Sequence, residues 1–79
     1  MKKKVKVLQF ALCLNNEDYE ASLEVGKLYQ VIPDDEAAVH GYMRIIDESG
    51  EDYAFAAERF HLVELPLSVE KALLTALNV

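Results

Sequence analysis

Apolar residues fall at both parities from Val5 to Leu14, with Phe10, Leu12 and Leu14 on one side of an extended chain and Val5, Val7, Ala11 and Cys13 on the other. Successive strand side chains point to opposite faces, so this pattern predicts a strand buried on much of both sides. Residues 15–22 (Asn-Asn-Glu-Asp-Tyr-Glu-Ala-Ser) are polar and turn-rich and read as a loop, with Tyr19 and Ala21 as anchors back to the body. Leu23 and Val25, then Gly26-Lys27, then Leu28, Tyr29, Val31 and Ile32 read as two short extended pieces joined at a glycine that supplies a positive φ. Pro33-Asp34-Asp35-Glu36 ends the second piece, because proline cannot donate to a ladder, and a loop continues to about Gly41.

The next strand is Tyr42 to Asp47, followed by a tight turn at Glu48-Ser49-Gly50-Glu51 and a strand carrying Tyr53-Ala54-Phe55. Ala56 to Phe60 is long enough for one helical turn only, and His61 to Leu65 is a last short strand. After Pro66 the period changes. Val69, Ala72, Leu73, Ala76 and Leu77 share one helical face, Glu70, Lys71, Thr75 and Asn78 cover the other, and Ser68 stands where an N-cap is expected. Phe10, Tyr29, Phe55 and Phe60 follow the strand period and are assigned to the core. Tyr19, Tyr42 and Tyr53 lie at or beside loops and are better placed for contact.

Seventy-nine residues allow one small domain, and 52% hydrophobic with 28% charged residues is the balance of a compact one. The net charge of −6 hides an asymmetry. Lys2, Lys3, Lys4 and Lys6 are half of the eight bases, so from residue 7 onward four bases (Lys27, Arg44, Arg59, Lys71) face fourteen acids, a balance of −10. Phosphate binding needs a basic surface that displaces counterions, so neither nucleic acid nor an anionic membrane is expected as a partner. The basic start before Val7, Leu8, Phe10 and Cys13 loosely imitates a lipoprotein signal. Lys6 and Gln9 interrupt it, however, and Leu12 stands where a small residue is required. Cys13 is the single cysteine, which excludes an internal disulfide and fits a reducing, cytoplasmic setting.

Little catalytic chemistry is present. Asp47, Ser49, Glu51 and Glu58 match positions 1, 3, 5 and 12 of a calcium loop, but Asp52 stands at position 6 where the bend needs glycine. Cys13, His40 and His61 would need the fold to bring them together, and no third orienting group accompanies them. No phosphate loop, dinucleotide fingerprint or paired-histidine motif occurs. No catalytic residue, metal site or cofactor is therefore assigned.

Three stretches carry a family resemblance: Ala11-Leu12, then Leu23-Glu24-Val25-Gly26-Lys27-Leu28-Tyr29-Gln30-Val31-Ile32, then Tyr53-Ala54-Phe55-Ala56-Ala57-Glu58-Arg59-Phe60. Their order resembles a Src-homology-3-like barrel. Tyr19-Glu20-Ala21-Ser22-Leu23 with Gly26-Lys27-Leu28-Tyr29, and Asp47-Glu48-Ser49-Gly50-Glu51-Asp52-Tyr53, are similar to a group of small bacterial proteins of that type whose function is uncharacterised. The resemblance implies a mainly β fold with a five-stranded barrel over residues 5–65, to which the helical period adds a C-terminal amphipathic helix over residues 66–79, packed on the barrel or on a partner. It does not extend to the aromatic groove for proline-rich peptides. The groove tyrosines of the first strand fall on Cys13 and Asn15, the paired tryptophans on Tyr42-Met43, the short-helix proline on Ala56 and its neighbouring tyrosine on Phe60.

The expected function is that of a noncatalytic protein-binding module. Tyr19, Tyr42 and Tyr53, with Glu17, Asp18, Asp34 and Asp35, would form an acidic surface for a basic protein or peptide. The alternative is a structural role, with the terminal helix burying Val69, Leu73, Ala76 and Leu77 against a second copy to give a homo-oligomer. The same helix could instead close the open end of its own barrel.

Overall fold

A computed structural model describes residues 9–77, with the side chains of residues 9–76. Five antiparallel strands form one sheet, and a helix follows them. The strands are β1 (Gln9–Cys13), β2 (Leu28–Ile32), β3 (Tyr42–Ile46), β4 (Asp52–Ala56) and β5 (Phe60–Val63), in the spatial order β4-β3-β2-β1-β5. A short helix α1 (Asp35–Val39) links β2 to β3, a 3₁₀ turn (Ala57–Arg59) links β4 to β5, and α2 (Leu67–Leu77) ends the chain. β4 and β5 are the two ends of the order and are not paired with each other, so the sheet is open. The basic start that only imitates a lipoprotein signal, with its lysine cluster, and the Val5 to Leu8 part of the first strand lie outside the described residues.

The register assigns the faces. Ala11 opposes Tyr29, Val31 opposes Ile45, Met43 opposes Phe55 and Cys13 opposes Phe60. Directly opposed residues point the same way, so these side chains share one face. They make up the buried cluster with Leu23, and Met43 packs against it. The opposite face carries Phe10, which is also buried, with Gln30 and Val63 as its cross-strand neighbours. β1 is thus buried on both sides, as its mixed parity predicts. All four aromatics assigned to the core are buried. Gly26 adopts φ +89, and its N–H donates to the Cys13 carbonyl at 2.8 Å while the Lys27 carbonyl accepts from Cys13 N–H at 2.9 Å. No atom lies within 4 Å of where a Cβ would stand at Gly26. Backbone conformation, not space, is what requires glycine there.

Three local expectations are corrected. Residues 33–41 are not all loop, because Asp34 caps a helix: its carboxylate accepts from Ala37 N–H at 3.0 Å, Asp35 and Glu36 occupy the acidic first turn, and Gly41 at φ +81 ends it. Leu23 and Val25 do not form a strand. Leu23 N–H donates to the Tyr19 carbonyl and the Leu23 carbonyl accepts from Asn16 Nδ2, so the backbone at Leu23 is satisfied inside the loop. Ser68 is not the cap of α2, because the Pro66 carbonyl accepts from both Val69 and Glu70 N–H and the helix starts at Leu67. Proline has no N–H to lose at that position.

Within the loop, Leu23 is 1% exposed and Val25 53% exposed. Leu23→Ala should therefore lower unfolding stability by about 2–5 kcal/mol, whereas Val25→Ala should change it by about 0.5 kcal/mol or less. Urea denaturation of the two variants measures the difference, and similar losses in both would contradict the burial of Leu23.

Candidate functional site

Tyr53 and Phe55 stand two residues apart on β4 and so face the same side. Phe55 is buried opposite Met43, while Tyr53, opposite Ile45, is 50% exposed at the edge of the core. A third ring comes from the long loop. Tyr19 meets Phe55 edge to face, with centroids 5.2 Å apart and planes at 88°, and Tyr53 meets Phe55 at 6.5 Å and 69°. The two tyrosines flank the phenylalanine over a cleft of about 330 Å³ that Ser22, Asp47 and Ser49 also line.

Local hydrogen bonds put Tyr19 there. Its N–H donates to the Asn16 carbonyl, and its own carbonyl accepts from Ser22 and Leu23 N–H. Asp18 precedes it at φ 73, a left-handed conformation that aspartate tolerates better than most residues. The Arg59 guanidinium lies 4.8 Å from the Tyr19 ring centroid and donates to the carbonyl and side-chain oxygens of Asn15. Arg59 does not line the cleft.

The other wall is the β3–β4 hairpin. Asp47, 6% exposed, uses Oδ1 to accept from Ser49 N–H at 2.9 Å and from Ser49 Oγ at 2.6 Å, which folds the tip before Gly50. Loop and hairpin are joined directly. Glu48 N–H donates to the Ser22 carbonyl at 3.0 Å, the Tyr29 hydroxyl donates to Glu48 Oε2 and accepts from Glu24 N–H, and Lys27 Nζ donates to the same carboxylate at 2.7 Å. Lys27 first, and Tyr29 next, hold the Glu48 carboxyl below its ordinary value. Burial, reinforced by the Glu48 bond, pushes the Tyr29 phenol well above its own.

The residues singled out from sequence do not form one surface. Tyr19 and Tyr53 share the cleft, and Glu17 and Asp18 are exposed on the loop that carries Tyr19. Tyr42 opposes Ala56, one position out of phase with Tyr53, and so lies on the other face of the sheet. It neighbours Asp34 beside α1. Asp34 is engaged there: beyond capping the helix, it pairs with Arg44 at 2.9 Å, and Arg44 also pairs with Asp52 at 2.9 Å. The Ala37 N–H first, and Arg44 next, keep the Asp34 carboxyl below its usual range. Asp35 is exposed in the first turn of α1. Phe55, Ser22, Asp47 and Ser49 were not expected at a contact surface. The i, i+2 relation of Tyr53 and Phe55 was the available signal for the first of them.

The thiol and the imidazoles stay apart. Cys13 is buried, which raises its pKa, while His61 opposes Leu12 and so faces away from Cys13, and the exposed His40 caps α1. Among the described residues no group of three or more His, Cys, Asp or Glu is arranged to hold a metal ion. No described helix is long and apolar enough to cross a membrane. On α2, Val69 and Ala76 are exposed and Leu73 is half-buried, while the Leu77 side chain lies outside the described residues. No known protein family, curated protein or solved structure matches the chain.

Because the Glu48 pKa is depressed in the fold, its contribution to stability is present above the ordinary value of 4.5 and is lost as pH falls through the folded value. Glu48→Gln should flatten the fall in urea stability below about pH 4.5. An acid limb as steep as that of the parent chain would remove Glu48 from the explanation.

Proposed function

We propose that the chain is a noncatalytic Src-homology-3-like barrel module that binds a basic protein or peptide in a reducing, cytoplasmic setting. The barrel reading is supported by the strand order β4-β3-β2-β1-β5, by the glycine-centred turn at Gly26 and by the 3₁₀ turn between β4 and β5. A buried lone thiol suits a reducing compartment. One observation carries the binding reading: two half-exposed tyrosines bracket a buried phenylalanine beside carboxylates that have no cationic partner among the described residues. Among the described residues the ion pairs engage Asp34, Glu48 and Asp52, and none engages Glu17, Asp18, Glu20, Asp47 or Glu51. Tyrosine offers apolar area with a polar tip, and uncompensated carboxylates steer a cationic partner toward it.

A panel of synthetic peptides, basic and neutral but matched in apolar content, tests this by fluorescence anisotropy at low and high salt. Basic peptides should bind at low salt and weaken as salt rises. Absence of binding by any basic peptide, or salt-independent binding, would overturn the reading.

A second reading, self-association, is favoured by α2. None of its described side chains is buried, and Leu67 and Val69 are exposed. Val69 and Leu73 share a face, so a Val69→Glu/Leu73→Glu double variant should convert a dimer to monomer in sedimentation velocity. A parent chain that already sediments as a monomer at high concentration would eliminate this reading.

A further inference from the structure

We propose that the cleft between Tyr19 and Tyr53 is a receptor for one arginine side chain of the basic partner. This rests on the protein-binding reading and names the chemistry of its contact. Phe55 closes the floor, Tyr19 and Tyr53 form the walls, and the volume of about 330 Å³ is at the lower end of small-ligand sites. Ring faces attract cations through their quadrupole, and a planar guanidinium, weakly hydrated, stacks on them better than an ammonium does. The molecule already contains one such contact, the Arg59 guanidinium on the Tyr19 ring.

Polar groups complete the receptor. Asp47 lines the cleft and commits only Oδ1 to the Ser49 donors. Among the described residues no protein donor reaches Oδ2, and that atom is not left buried without a partner. It is an acceptor on a residue only 6% exposed, suited to a guanidinium N–H. Glu51 accepts from the Tyr53 hydroxyl at 3.0 Å, which adds negative charge at the tip of that wall. The hydrogen bond to Glu51 first, then its charge and burial, raise the Tyr53 pKa, with smaller contributions from Asp47 and Asp52. Of the chain's own bases at the described positions, Lys27 pairs with Glu48 and Arg44 with Asp34 and Asp52, and Lys71 is carried on α2, whereas Arg59 lies against the ring of Tyr19, a wall of the cleft, and donates to Asn15. The cleft therefore brings aromatic rings and a carboxylate together, and no described cation is part of its lining.

The test uses blocked arginine (N-acetyl-arginine methylamide) and its neutral isostere, blocked citrulline, titrated into the full chain and followed by amide chemical shifts. Arginine should perturb Tyr19, Ser22, Ser49 and Tyr53, and citrulline should bind roughly three- to thirtyfold more weakly. Tyr53→Leu should weaken the arginine probe by a similar factor, Tyr53→Phe should retain binding because the ring remains, and Tyr42→Leu, on the other face, should have no effect. Dispersed spectra of each variant show that it is folded. Equal affinity for arginine and citrulline, or shifts that Tyr53→Leu leaves unchanged, would overturn the site. If basic peptides bind while the arginine probe ignores the cleft, the arginine site falls and the protein-binding reading stands. If the arginine probe binds in the cleft while no basic peptide does, the site stands and that reading falls.

Discussion

The hydroxyl of Tyr29 holds the working parts of this molecule together. Its ring is part of the buried cluster, so the polar tip must find partners or cost roughly 1–3 kcal/mol. It finds two, accepting from the Glu24 amide and donating to Glu48, which Lys27 also holds. Glu24 and Lys27 belong to the long loop and its return, and Glu48 belongs to the β3–β4 hairpin. A single phenol thus ties together two segments more than twenty residues apart along the chain. The Glu48 amide, bonded to the Ser22 carbonyl, supplies a second tie that needs no side chain. Loop and hairpin are the two walls of the aromatic cleft, so its width follows from satisfying a buried polar group.

Small size explains why that tie matters. A chain near this length removes only about 60% of its unfolded surface from water, and here the cluster gathers one face of an open sheet and a single loop residue, Leu23. Loop side chains must then serve as core. Leu23 does so outright, and Tyr19 does so in part, packing at right angles to Phe55 while staying 43% exposed. A residue that completes a core and also stays accessible is well placed for binding, because its position is already determined before a partner arrives and less ordering entropy is lost on contact.

The strands were readable wherever the two-residue period ran unbroken. β3, β4, the turn between them and the single turn before β5 follow from local pattern, since alternation and a glycine at the tip act within a few residues. α1 was equally local but was obscured by Pro33 and three consecutive acids, which also describe a solvated loop; the cap at Asp34 separates the two readings only with the terminator at Gly41. Leu23 and Val25 illustrate a different limit. Their alternation imitates a strand, yet the hydrogen bonds that decide the matter come from Tyr19 and Asn16, a turn earlier in the chain. The candidate site shows the same division: exposure of the three tyrosines was legible, but separating Tyr42 from Tyr53 required the β3–β4 register, in which a shift of one residue exchanges faces.

The acidic excess acquires a location from these details. Net charge alone says only that a molecule repels polyanions at long range. In the structure, the bases are distributed unevenly: Arg44 pairs with two carboxylates beside α1, and Lys27 pairs with the carboxylate at the loop-hairpin junction. Those pairs are partly exposed and each contributes little to stability. Their larger consequence is that, among the described residues, the carboxylates left without an ion pair include Glu17, Asp18, Glu20, Asp47 and Glu51, on the two segments that carry Tyr19 and Tyr53. An ion pair that fixes architecture at one place removes a cation from another. Among the described residues, the ion pairs that support the fold therefore leave those carboxylates on the cleft's two segments unpaired.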